Sequence, residues 1–210
     1  MTEGFRATII AAALLLAACQ GNNSAERSAT TTTEDATPVV VFETTAGPIV
    51  MELNRAKAPL SVRNFVALVR AGFYDGLVFH RVMPGFMIQA GAYTPEMAMR
   101  HASIAPVPYE GDNGLSNARG TVAMARTSDP NSATTQFFIN LVDNGSKLDQ
   151  DSVPTGVGYS VFGRVIQGMD VVDSIARVPT TVRGDQRNWP VQPMVITRAY
   201  VRETTDRDSS

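Results

Sequence analysis

Between residues 39 and 202 the hydrophobic positions mostly recur at a period of two, the mark of strands with one face buried. Val39, Val41, Ile49, Met51 and Leu53 fall in two β-rich runs separated by Ala46-Gly47-Pro48, a turn signal, which predicts an opening hairpin. The period then changes. Val62, Phe65, Val66 and Val69 repeat at helical spacing behind Pro59, a residue suited to a first turn, and Gly72 sits where a helix terminates. Further strand-like runs occupy 77–82, 86–89, 121–124, 136–142, 160–165 and 194–202. A second helix is predicted at about 169–177, with Val172, Ile175 and Ala176 turned inward and Pro179 beyond its end. Many short strands with two helices predict an all-β barrel or sandwich whose openings the helices cover. The chain contains no internal repeat, P-loop or GxGxxG.

Ahead of this domain the pattern is different in kind. Residues 1–19 read MTEGFRATIIAAALLLAAC: one basic side chain, Arg6, an apolar run over 7–18, then Cys19. A bilayer span needs about 20 apolar residues, so the run is too short to cross and suits the core of an export signal. Its end, Leu16-Ala17-Ala18-Cys19, resembles the lipobox of bacterial lipoproteins, where cleavage leaves an acylated cysteine as the first residue. The resemblance implies a signal over 1–18 and a lipid on Cys19, with two or more acyl chains holding the protein at a membrane. Gln20 in place of an aspartate after the cysteine implies the outer membrane of a bacterial envelope, facing the periplasm. Residues 20–37 hold no large apolar side chain and cannot offset their ordering entropy, so 19–37 reads as a lipidated leash with a reach of roughly 20–25 Å. The domain then spans 38–203, and 204–210 forms a polar tail.

Composition narrows the chemistry. The 210 residues carry 18 basic against 20 acidic side chains, a formal charge of −2, with no clustered Lys/Arg stripe, so nucleic acid is not an expected partner. One cysteine and two histidines, Cys19, His80 and His101, make neither a disulfide framework nor a zinc site. No metal or organic cofactor is expected.

One stretch is far from generic. Residues 73–91 read FYDGLVFHRVMPGFMIQAG, with aromatic, basic and amide side chains at set intervals. This run resembles the signature of the cyclophilin family of peptidyl-prolyl cis-trans isomerases, carried by Phe79-His80-Arg81, Phe86-Met87 and Gln89-Ala90-Gly91. Met124-Ala125-Arg126, Gln136-Phe137-Phe138-Ile139, Leu148-Asp149 and Tyr159-Ser160-Val161-Phe162-Gly163 resemble the other segments lining that family's groove. The likeness covers about 39–202 and is closest to the bacterial periplasmic branch, in which MART, QFFIN and GMDVVD runs occur. It implies a mainly β fold, a closed eight-stranded antiparallel barrel capped by two α-helices. The activity implied is cis/trans isomerisation of X–Pro bonds in exported proteins, and the partners are proline-containing segments of folding envelope proteins met by a monomer.

The residue types suit that reaction on physical grounds. Rotation about an X–Pro bond breaks amide resonance at about 18–20 kcal/mol and takes tens to hundreds of seconds unaided. No nucleophile or proton-transfer pair is required, only a site that favours the twisted amide over the planar one. Phe86, Met87, Phe138 and Leu148 supply an apolar pocket for the proline ring, with Tyr159 as an aromatic wall. Arg81 donates to the imide nitrogen, whose lone pair becomes available only when resonance is lost. Gln89 orients Arg81 and contacts the peptide with Gln136, while backbone groups of Ala125, Arg126 and Thr127 hold the residue preceding proline. Shortening ~100 s to ~10 ms requires about 5.5 kcal/mol, and one charge-assisted hydrogen bond contributes about 1.5–3 kcal/mol. Arg81 is therefore expected to be the largest single contributor without being sufficient. His80 reads as a partly buried structural histidine, and His101 and Trp189 as structural or solvated. Where many eukaryotic relatives carry Trp just before the Leu-Asp of the groove, this chain has Lys147, which offers neither the indole N–H nor its flat apolar face, so weak cyclosporin binding is expected. The contrasting expectation is a lipoprotein that holds proline peptides as a chaperone without turning them over.

Overall fold

The computed structural model describes residues 37–202. The expected export signal over 1–18, Cys19, most of the segment read as a leash and the segment read as a tail lie outside the described residues. β1 (Val39–Thr44) and β2 (Gly47–Leu53) form the predicted opening hairpin, with Val39 opposite Glu52 and Thr44 opposite Gly47. The Thr44 hydroxyl closes the turn, donating to the Gly47 carbonyl at 2.6 Å and accepting the Ala46 N–H at 3.1 Å. Gly47 sits at φ 125°, a conformation a side chain would strain.

α1 (Pro59–Arg70) buries the predicted face, Val62, Phe65, Val66 and Val69, and Leu68 in addition. It ends as the sequence indicated: Gly72, at φ 66°, donates to Val69 and Phe73 donates to Leu68, each at 3.0 Å, the paired bonds of a Schellman motif. Its start has another source. Ala58 at the N-cap offers no side-chain acceptor, and the first-turn N–H groups of Leu60 and Ser61 are met from outside the helix by Glu110.

The remaining elements are β3 (Arg81–Met83), β4 (Met87–Ala90), β5 (Thr121–Met124), β6 (Phe137–Asn140), the single-turn α2 (Gly145–Leu148), β7 (Val161–Gln167), α3 (Met169–Ala176), β8 (Thr180–Arg183), β9 (Gln186–Pro190) and β10 (Ile196–Arg202). Eight strands form one curled antiparallel sheet in the order β10-β1-β2-β7-β5-β6-β4-β3, with β8 and β9 as a separate hairpin. α1 packs against β7 and β10, and α3 against β2, β3 and β4.

The mainly β architecture with eight antiparallel strands is as expected, but "closed" overstates it. β3 and β10, the two edges, share no ladder. The seam is spanned by an isolated bridge between Val78 and Val195, by Phe79 N–H to the Met194 carbonyl at 2.9 Å, and by Ile196 N–H to the Leu77 carbonyl at 2.8 Å. The run predicted as a strand over 77–82 divides accordingly. Leu77, Val78, Phe79 and His80 are all buried, so this stretch does not alternate between core and solvent as a half-covered strand does, and the ladder begins only at Arg81.

Alternation along the central strands separates two apolar clusters. Val82, Ile88, Ala90, Val122, Met124, Phe137, Ile139 and Phe162 point into the interior. There Phe42, Phe65, Tyr74, Phe137 and Phe162 pack with ring centroids 5.0–5.9 Å apart, filling the curl with side chains. Their neighbours in sequence, Met87, Ala123, Phe138 and Val161, point outward and form a second cluster with Leu148. Phe86, Ala125 and Tyr159 pack against that outer cluster.

Candidate active site

Strand register assembles the site. Arg81 pairs with Gln89, Gln89 with Phe138, Phe138 with Ala123, and Ala123 with Val161, so one row crosses β3, β4, β6, β5 and β7. Residues in register across a sheet share a face, so the five side chains lie side by side on the outer surface. The tight turn between β3 and β4, closed by Phe86 N–H to the Met83 carbonyl at 3.0 Å, brings Phe86 and Met87 to the next row. Arg81, Phe86, Met87, Gln89, Ala125, Arg126, Phe138, Leu148 and Tyr159 line a cleft of about 130 Å³.

The polar end of the cleft is wired in one direction. Arg81 Nη1 donates to Gln89 Oε1 at 3.3 Å, and Gln89 Nε2 donates to Gln136 Oε1 at 2.8 Å. Each amide spends its oxygen on the side facing the previous donor, so Gln136 fixes which way Gln89 faces and Gln89 holds the guanidinium. His80, beside Arg81 and 3% exposed, contacts Tyr93 and Trp189 at ring-centroid distances of 5.1 and 6.4 Å. Burial, reinforced by the Arg81 charge, pushes its pKa down to about 4, and the imidazole is neutral at physiological pH. A neutral ring buried against Tyr93 and Trp189 fits the structural role expected of it.

The apolar end is held by a separate network. α2 places Leu148 over the groove, and Tyr159 N–H donates to the Leu148 carbonyl at 2.9 Å. Asn144, 1% exposed, donates to the Phe86 carbonyl at 2.9 Å and to Asn140 Oδ1 at 2.8 Å. Asp149 Oδ1 accepts both the N–H and the side-chain amide of Asn117 at 2.8 Å, and Oδ2 accepts Ser116 at 2.6 Å. Partial burial raises the Asp149 pKa, but these hydrogen bonds outweigh it and the net value lies below the usual carboxylate range. Tyr159 meets Phe138 edge to face at 5.5 Å and lies 4.6 Å beneath the Arg126 guanidinium. That guanidinium also donates to the carbonyls of Val157 at 2.7 Å and Gly158 at 2.9 Å, clamping the loop that carries Tyr159.

Most of the residues expected at the site are brought together here. Gln136 stands behind Gln89 and does not line the cleft itself. Thr127 is exposed and absent from the lining, and its N–H is committed to Ser132 Oγ at 2.9 Å. The Ala125 N–H is likewise committed, to the Gln136 carbonyl at 2.9 Å. Ala123 and Val161 form the floor of the row; Ala123 is not among the expected site residues, and Val161 falls in the run 159–163 expected to line the groove but without a role of its own.

The outer face of the curled antiparallel sheet thus carries a cleft in which a guanidinium and an amide stand beside an aromatic and aliphatic pocket. Residues 39–201 match the family model for cyclophilin type peptidyl-prolyl cis-trans isomerase/CLD, and the chain belongs to that family. It is 52% identical over 162 residues to peptidyl-prolyl cis-trans isomerase cyp18 of Streptomyces antibioticus, covering 77% of this chain and 97% of that protein. To peptidyl-prolyl cis-trans isomerase B of Escherichia coli K12 it is 46% identical over 165 residues, covering 79% of this chain and 100% of that protein. Among solved structures, a cyclophilin type isomerase of Cryptosporidium parvum superposes with a TM-score of 0.61 at 23% identity, covering 81% of this chain and 100% of that one. The chain is a peptidyl-prolyl cis-trans isomerase.

Proposed function

We propose that this isomerase acts on X–Pro bonds of exported proteins at a bacterial envelope, tethered through a lipid on Cys19, with the cleft on the outer sheet face as its active site. The observation that carries the site assignment is the single cross-strand row Arg81–Gln89–Phe138–Ala123–Val161, which sets a held guanidinium beside an apolar pocket. The proline ring enters among Phe86, Met87, Phe138 and Leu148. Arg81 donates to the imide nitrogen as it pyramidalises, a bond available only in the twisted state and therefore one that lowers the barrier instead of tightening ground-state binding. Gln89 keeps Arg81 from swinging away, and Gln136 keeps Gln89 from turning over. The planar amide loses more hydration than the twisted one on entering an apolar cleft, which adds to the preference.

The anchor rests on residues 1–19, the run ending Leu16-Ala17-Ala18-Cys19. Mass spectrometry of the mature protein purified from membranes tests it. A diacylglyceryl or triacyl mass on an N-terminal Cys19 supports the tether, and an unmodified cysteine or a soluble product cut elsewhere overturns it. Isomerase activity in the domain would survive that result.

A further inference from the structure

The lining of the cleft carries two guanidinium groups, Arg81 and Arg126, and no carboxylate, although Asp149 follows the lining residue Leu148 in the chain. Lys147 adjoins Leu148 on its other side, in a chain whose formal charge is −2. Neither arginine is ion-paired among the described residues: the side chain of Arg81 bonds the neutral Gln89, and that of Arg126 bonds only backbone carbonyls and stacks on Tyr159. The ion pairs Arg119–Asp173 and Arg164–Glu52 involve other residues. The neighbouring acids are turned to other tasks. Asp149 is bonded to Ser116 and Asn117, Asp129 accepts the Asn131 N–H at 2.9 Å, and Asp112, Asp149 and Asp151 line a different cavity with Gly111 and Leu115. Tyr109, whose hydroxyl accepts the Gly158 N–H at 3.0 Å, feels both Arg126 and the carboxylates of Asp112 and Asp149, so their field is partly opposed at that loop.

Four hydrogen bonds and one aromatic face fix the Arg126 guanidinium, so its charge is presented to a peptide without an ordering penalty on binding. We propose that Arg126 is a specificity-determining residue that makes this isomerase favour proline segments in which an acidic side chain directly precedes the proline. The inference rests on the assignment of this cleft as the isomerase site, with the segment around Arg126 holding the residue before proline. Arg81 adds to the field but is committed to the imide nitrogen, leaving Arg126 as the charge that reads the neighbouring side chain.

The test is a protease-free NMR exchange measurement on peptides Ala-Xaa-Pro-Phe with Xaa as Glu, Gln or Lys, comparing kcat/KM. The Glu to Gln ratio is expected at about two- to fivefold in low salt, the range of a partly exposed charge pair, and is expected to approach one near 1 M salt. Arg126→Met is expected to abolish the ratio whatever it does to overall turnover, and Arg126→Lys to retain most of it while losing the carbonyl clamp. A wild-type ratio near one, a ratio unmoved by salt, or one that survives in Arg126→Met overturns the proposal. Absence of turnover on every peptide would instead overturn the assignment of the cleft, and the proposal with it, whereas good turnover with a flat ratio overturns the specificity alone.

Discussion

Replacing Glu110 by alanine should destabilise the domain more than any other single carboxylate removal, because of how α1 begins. The first four N–H positions of a helix have no partner within it. In α1 the Ala58 N–H is met by the Asn54 carbonyl at 3.0 Å, Pro59 has no N–H, and Val62 makes the first helical bond, to Ala58. Leu60 and Ser61 remain, and Glu110 accepts both, at 2.9 and 2.8 Å through its two oxygens, with the Ser61 hydroxyl at 2.7 Å as a third donor. Glu110 is 9% exposed and Ser61 1% exposed, so water does not readily take the carboxylate's place. Stripped of its acceptor, the buried Ser61 N–H costs about 1–3 kcal/mol and the part-buried Leu60 N–H about 1 kcal/mol; the Ser61 hydroxyl can rotate to another partner. Glu110→Ala is therefore expected to lose about 2–4 kcal/mol, a fall in Tm of roughly 5–15 °C for a domain of this size. Glu110→Gln keeps one acceptor oxygen and should lose about half as much. Urea unfolding followed by circular dichroism gives the comparison, with the midpoint moving and the slope m unchanged. A Glu110→Ala protein within about 0.5 kcal/mol of wild type, the scatter of ordinary surface substitutions, would refute the idea that this distant carboxylate caps the helix.

Two further outcomes are expected. The His80 pKa is lowered from 6.5 to about 4 by burial, so between those values the unfolded chain binds a proton that the folded one refuses, and stability falls as the pH drops through that window. Across it His80 accounts for about 3 kcal/mol, so wild type should lose that much more than His80→Asn between pH 7 and pH 4 in denaturant titrations; equal losses would contradict it. Lys147→Trp should restore an indole at the groove rim and strengthen cyclosporin binding relative to the wild-type protein by calorimetry, and nanomolar affinity in the unaltered protein would contradict the weak binding expected of it.

The groove was legible where its residues are adjacent in the chain and chemically distinctive. Arg81, Phe86, Met87 and Gln89 fall within one run, and the turn between β3 and β4 needs few residues to fold it into two rows. The family likeness put Phe138 in the pocket, and the structure gives the physical reason, since its neighbour Phe137 packs with Phe42, Phe65 and Tyr74 in the interior. Ala123 and Val161 carry no chemical label, and only register places them under the cleft. α2 is a single turn, too short for any periodicity, and β8 is exposed at every position, so neither has a burial pattern to read. The β8–β9 hairpin owes its place to Trp189, 1% exposed and packed on Tyr93 at 5.8 Å, a residue whose role could not be read before its neighbours were known. Glu110 lies 50 residues from Leu60, beyond any local capping rule. The closed barrel came from the family likeness alone; the residue pattern left barrel and sandwich open, and the buried segment at the seam reads in sequence like any core strand.

The central claim, that the held guanidinium of Arg81 acts on the twisted imide and not on the bound ground state, is tested most directly by measuring turnover and peptide affinity together for Arg81→Ala. Loss of one charge-assisted hydrogen bond made only in the transition state should slow exchange by roughly 10- to 150-fold, while the peptide dissociation constant by NMR titration stays within a few fold of wild type. Unchanged turnover, or turnover and affinity that fall together in proportion, would contradict it.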